Sequence, residues 1–214
     1  IDGPVYERPY HRPEWLDALL EEGRIFECWA HEACFAPFSD HALHALHASA
    51  GRAGHWSMKH ALRTRRDHAD GMAAVLERIR AEGALKSSEF ERRDGNGGGW
   101  WGWKDEKRCL EAWFALGELM VARRERFQRV YDLSERVLER ARRHAQPAPV
   151  ADVQAMHEAF VLGAVRALGI TQARWINDYF RSGGRLRDAA LDGLVDDGRL
   201  LRVDVDGWDA PGYV

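Results

Sequence analysis

Several groups of side chains have types and spacings that could do chemistry. Cys28, His31 and Cys34 lie at intervals of three, and His41, His44 and His47 follow at the same interval. Thiolate and imidazole donors could hold zinc, but a closed zinc site needs about four convergent ligands. Steps of three residues also drift about 60° around a helix each time, so the histidines do not stack on one face. Cysteines in the core and a histidine face on the surface are the expectation, and no metal is assigned. His31-Glu32 begins like the helix of a zinc protease, but Phe35 stands where the second histidine belongs. Gly97-Gly98-Gly99-Trp100-Trp101-Gly102 has the glycine spacing of a dinucleotide loop, yet no apolar strand precedes it and tryptophans fill its variable positions. Lys104 has no G-K-[ST] context, which removes a P-loop. No Ser-His-Asp arrangement stands out, so neither a cofactor nor a nucleophile is indicated.

Two other groups point to nucleic acid. Trp100, Trp101, Trp103 and Lys104 precede a helix carrying Lys107 and Arg108. Aromatic faces interleaved with cations suit stacking on bases and pairing with phosphates, although Trp100 and Trp101 could equally pack their loop onto the core. Arg123, Arg124, Arg126 and Arg129 cluster on an apparent strand–turn–strand segment. Phosphate contact is the favoured reading there, against a merely solvated hairpin.

The elements that must carry these residues come from an internal repeat. Residues 16–26, 110–120 and 191–201 each read apolar, acidic, small, apolar, apolar, two variable positions, Gly, charged, apolar, apolar. Apolar residues at i, i+3 and i+4 make one buried helix face. The glycine stands where a helix terminus needs a left-handed residue, and the apolar pair after it starts a strand. Upstream of the second copy lie an amphipathic helix over 72–81 and a short segment that Ser87 or Ser88 could cap. Upstream of the third copy lie a helix over 153–168 ending at Gly169 and a second helix capped by Thr171. Asp206-Gly207 signals a hairpin turn. Helix, helix, helix, strand, hairpin is the plan of a winged helix-turn-helix. The fold expected is mainly α with short β-hairpins, arranged as tandem winged helix-turn-helix units. Residues 1–36 form the C-terminal part of a first unit and 37–70 a helical connector. Residues 71–143 form the second unit, 144–152 a linker and 153–214 a third, truncated unit.

Composition agrees with this. The 214 residues are 45% hydrophobic and 30% charged, as in an ordinary globular protein. No apolar run approaches the ~18 residues that a membrane span needs. Three cysteines suit a reducing compartment rather than a disulfide framework. The net charge of −3 hides a basic stretch: residues 100–143 hold eleven basic and eight acidic side chains, whereas 185–214 hold four and seven. The chain opens Ile1-Asp2-Gly3-Pro4 without Met or a signal-peptide pattern, and the first repeat lacks its leading helices. A piece of a larger protein is therefore expected.

The run Phe26-Glu27-Cys28-Trp29-Ala30-His31-Glu32-Ala33-Cys34-Phe35 resembles the W-A-H-E-A motif of the YcaQ/AlkZ-type winged-helix DNA glycosylases. The resemblance continues through Trp100–Lys104, Lys107–Glu111, Gly117–Val121 and Phe127–Leu133, and covers roughly residues 13–214, more weakly after residue 150. It implies tandem winged helices wrapped around damaged double-stranded DNA and removal of alkylated bases, interstrand crosslinks included. It implies no small-molecule cofactor and no membrane, a monomer, and a cytoplasmic location at the bacterial nucleoid. The family's catalytic motif is Gln, an apolar residue, then Asp or Gln, placed before W-A-H-E-A. Ile1-Asp2 could be its end, which makes Asp2 a catalytic candidate, but its distance to Trp15 is shorter than expected and favours a pair upstream of Ile1. His31 and Glu32 are candidates for proximity to the lesion. A non-enzymatic winged-helix regulator is the alternative, to be recognised by sequence-selective footprints on undamaged DNA. A zinc-dependent protein is a third possibility, and stoichiometric metal would mark it.

Overall fold

Apolar periodicity sets the helices, and glycines of positive φ follow α-helical segments at Gly23, Gly83, Gly117, Gly169 and Gly198. A computed structural model of the protein describes residues 13–30, 32–50, 56–90 and 105–214. In chain order the elements are α1 (Pro13–Glu21), β1 (Ile25–Trp29), β2 (Ala33–Pro37), α2 (His41–Ala50), α3 (Trp56–Asp67), α4 (Ala69–Glu82), β3 (Leu85–Lys86), α5 (Asp105–Leu116), β4 (Leu119–Glu125), β5 (Gln128–Leu133), α6 (Ser134–Ala141), α7 (Val153–Leu168), α8 (Ala173–Phe180), α9 (Asp192–Asp196), β6 (Arg202–Val203) and β7 (Gly212–Tyr213). The protein is thus mainly helical with small antiparallel sheets. Its backbone divides into two units, one of Ile1–Glu27 with His60–Gln146 and the other of Cys28–Lys59 with Pro147–Val214. All three repeat glycines, Gly23, Gly117 and Gly198, have positive φ (73°, 84° and 69°), so the repeat has one backbone geometry at its helix–strand junction.

In the first unit α4 buries Met72, Val75 and Ile79 on one stripe, and α5 buries Cys109, Leu110, Ala112 and Phe114. The Trp113 indole N–H donates to the Met72 carbonyl at 2.8 Å and ties these helices together. A 3-10 turn, Ser87–Phe90, follows β3. Its anchor is Glu89, whose carboxylate accepts from the Lys86 N–H at 2.8 Å. The sheet runs β3-β5-β4, antiparallel throughout, with a bulge between Val121 and Arg123. Leu119, Met120, Val121 and Ala122 are buried in succession. A strand covered on one face would alternate, so β4 is covered on both. α1, α5 and α6 all pack against it. Gly23 sits so close to α6 that a Cβ there would lie 2.7 Å from Ala141 Cα.

The second unit corrects three expectations. His44 and His47 are buried, not surface residues, and both meet the Phe160 ring edge-on where α2 packs on α7. The faces of a helix that a partner helix covers are buried whatever their polarity, and imidazole packs well edge-on to a ring. Thr171 does not cap α8: it forms an antiparallel bridge with Tyr213, and Gln172 flanks the helix. Asp206-Gly207 makes a local turn, with the Trp208 N–H donating to the Val205 carbonyl. The strands it serves pair as Arg202↔Tyr213 and Val203↔Gly212, so the connection is a long loop, not a two-residue hairpin. The expected α7 matches, with Asp152 accepting from the Ala155 N–H at its start and Gly169 at its end. The core joins Val161, Ala164 and Val165 of α7 to Ile176, Leu191, Leu194, Leu200 and Tyr213. Tyr213 lies between Thr171 and Arg202 as Tyr131 of β5 lies between Leu85 and Val121, so both units order their strands alike.

Candidate nucleic-acid interface

The β4–β5 hairpin carries the arginine cluster. Its register is set by Leu119↔Leu133 at the buried base, and Glu125↔Gln128 closes the turn formed by Arg126 and Phe127. At the Arg124↔Arg129 pair, next to the turn, lies a five-residue polar network. Arg124 grips Glu27 with two bonds, Nε–Oε1 at 2.5 Å and Nη2–Oε2 at 2.8 Å. Arg129 Nε donates to the same carboxylate at 2.8 Å, and its Nη1 donates to both oxygens of Glu111 at 3.0 and 3.1 Å. The Tyr131 hydroxyl donates to Glu111 at 2.8 Å. The Glu27 side chain is only 3% exposed. A buried carboxylate needs several good donors to offset its lost hydration, and two guanidinium groups supply them.

The network raises the pKa of both Arg129 and Tyr131, although burial acts on the two in opposite senses. Burial works to lower the pKa of Arg129, but Glu111, Tyr131 and Glu27 outweigh it and the guanidinium is held charged more firmly than usual. Burial raises the pKa of Tyr131, and the Glu111 charge adds to the rise, so the phenol stays protonated and donates. Glu27 and Glu111 are both engaged by these donors, Glu27 buried and Glu111 partly exposed. Above them opens a cavity of about 360 Å³, lined by Ser87, Lys107, Glu111, Arg124, Phe127, Gln128, Arg129 and Tyr131. Lys107 and Glu111, one turn apart on α5, bring the helix face to the same cavity that the hairpin lines.

The remaining residues singled out from sequence are placed as follows. Arg123 pairs with Glu125 at 2.7 Å, which Lys86 also contacts at 2.6 Å. These two hydrogen bonds, Lys86's first, hold the Glu125 carboxyl below its ordinary pKa. Arg126 is exposed at the turn, and Arg108 reaches Asp105 at 3.4 Å. Glu32 is exposed beside the β1–β2 turn. Asp2, His31, Trp100, Trp101 and Lys104 lie outside the described residues. The structure brings Arg124, Arg129 and Lys107 to one cavity, while Glu32 belongs to the other unit. Cys28 Sγ lies 3.8 Å from both Cys34 Sγ and His44 Nδ1. Among the described residues no group of three or more His, Cys, Asp or Glu is arranged to hold a metal. Sequence reasoning missed Glu27, Glu111 and Tyr131. The available signal was a carboxylate inside an apolar strand, Ile25-Phe26-Glu27-Cys28-Trp29, which burial forces to find a cation.

Residues 8–214 match the model of a family described as AlkZ-like, DNA glycosylase AlkZ-like. The chain belongs to the AlkZ-like DNA glycosylase family. Its cationic hairpin and α5 therefore sit in a protein whose family acts on DNA. Among curated proteins, one short stretch of 18 residues is 89% identical to the phosphoribosylformylglycinamidine synthase subunit PurL of Renibacterium salmoninarum. That stretch is 8% of this AlkZ-like chain and 2% of PurL, too little to bear on either fold or activity. No solved structure matches. Among the described residues no helix is long and apolar enough to cross a membrane.

Proposed function

We propose that this AlkZ-like chain serves a DNA glycosylase that hydrolyses the N-glycosidic bond of alkylated bases, those tethered in interstrand crosslinks included. The C-terminal part of a first winged-helix unit (1–36), a second unit (71–143) and a third, truncated unit (153–214) hold the damaged duplex, with 37–70 and 144–152 connecting them. In the middle unit α5 is the helix that faces the groove and the β4–β5 hairpin is the wing. The observation that carries this reading is the convergence of α5 and the hairpin on one cation-lined cavity in a chain of this family. Lys107 and Arg108 on α5 and Arg123, Arg124, Arg126 and Arg129 on the wing supply positive charge to the phosphates. Lys104, Trp100 and Trp101, placed before α5 in the sequence, add phosphate and base contacts in this reading.

The chemistry is economical. A base alkylated on a ring nitrogen is already cationic and departs neutral, so it needs little acid catalysis. The oxocarbenium-like sugar is what must be stabilised. A carboxylate near C1′ does so and activates water. Asp2, or the Gln-apolar-Asp motif that the resemblance places before Trp29, fills that role, with His31 and Glu32 close to the lesion. The protein works as a monomer in the bacterial cytoplasm, at the nucleoid, without a small-molecule cofactor.

The test is release of free N7-methylguanine from alkylated duplex DNA by the full-length protein. Release above the spontaneous rate is expected. Absence of release, together with a sequence-selective footprint on undamaged DNA, would instead identify a regulator.

A further inference from the structure

Phe127 is 90% exposed at the tip of the hairpin, an unusual place for a large apolar side chain. It and its neighbour are also strained. Arg126 and Phe127 both have positive φ, 48° and 67°, although neither is glycine. A two-residue hairpin turn of this kind is filled without strain by Asn-Gly or Asp-Gly. Strain that persists at an exposed tip needs something to hold it, and the structure supplies the holder. Arg124 Nη1 donates to the Phe127 carbonyl at 2.6 Å, while the rest of the same guanidinium is fastened to buried Glu27. The ring is thus presented outward on a braced turn, with Arg126 beside it and the cavity lined by Lys107, Arg124 and Arg129 at its root.

We propose that Phe127 is a wedge that enters the base stack of duplex DNA while the cations around it hold the phosphates. An apolar side chain at such a tip, flanked by positive charge, matches a duplex better than a protein surface. Its ring gains contact only where stacked bases part, and its neighbours gain only where phosphates lie. Parting a base step is also what an enzyme needs before a base can leave the helix. This inference rests on the reading that the protein binds DNA, and the experiment separates the two.

The protein is titrated onto a duplex carrying 2-aminopurine, whose fluorescence rises on unstacking, and binding is followed in parallel by anisotropy. The wild type is expected to raise the fluorescence. F127A should lose the rise and bind roughly tenfold more weakly, in keeping with the loss of one aromatic–base stack, and F127W should keep the rise. F127G relieves the backbone strain, so it should remain folded and behave as F127A does. Binding by the wild type without a fluorescence rise, or an equal rise with F127A and F127G, overturns the wedge alone. No binding by the wild type overturns the wedge and the DNA reading together. A change in sedimentation of the DNA-free protein on F127A, with DNA binding untouched, marks the tip as a protein contact and also overturns it.

Discussion

Glu27 shows how one buried carboxylate can organise a surface. Its oxygens hold Arg124 and Arg129 at 2.5 to 2.8 Å, and each arginine then reaches on, Arg124 to the turn and Arg129 to Glu111. Removing one partner from a buried ion pair leaves the other charged and desolvated. That costs on the order of 3 kcal/mol or more, whereas an exposed pair contributes a fraction of that. Glu27→Gln keeps the shape and removes the charge. Urea unfolding should show a lower midpoint by this measure with an unchanged slope. An unchanged midpoint would mean that the network adds nothing to stability. The loss should also loosen the Arg126–Phe127 turn, because its brace runs through Arg124.

At the scale of elements, the three copies of helix, glycine and strand share a backbone geometry but differ in what surrounds the glycine. Gly23 has φ of 73° and Ala141 within 2.7 Å of where a Cβ would lie, whereas Gly117 has φ of 84° and nothing within 4 Å. An L-residue in the left-handed region costs about 1–2 kcal/mol. Gly117→Ala should lose about that much, a fall in Tm of a few degrees for a chain of this size. Gly23→Ala adds a clash with the backbone of α6 and should lose distinctly more, as read by thermal melts followed by circular dichroism. Equal losses would show that α1 can move away from α6 at no cost. The hairpin follows the same logic: β4, buried on both faces over 119–122, fixes the register that brings Arg124 over Glu27.

For the whole molecule, a net charge of −3 does not exclude a polyanionic partner, because the charge is unevenly spread. Acidic side chains gather in residues 185–214, while the β4–β5 hairpin carries four arginines against two carboxylates. Binding to duplex DNA should weaken as salt rises, with log K falling linearly in log salt. Arg126→Ala should reduce that slope by about 0.9, the share of one phosphate contact, with little change in Tm because the side chain is exposed. A flat salt plot for the wild type would remove the phosphate-contact reading.

Periodicity and glycine placement were enough to find the repeat, the bounds of α7 and the helix–strand junctions, because those depend on interactions within a few residues. The motifs from Phe26 to Leu133 were enough to reach the family, because the order and spacing of residue types survive in one dimension. What the sequence could not disclose is long-range pairing. Glu27 meets partners 97 and 102 residues away, Tyr131 and Glu111 meet across the sheet–helix boundary, and His44 and His47 are buried because α7 covers them. Nothing local marks those choices. A carboxylate or an imidazole has the same intrinsic preferences on a surface as in a core, and only the tertiary packing decides which it becomes.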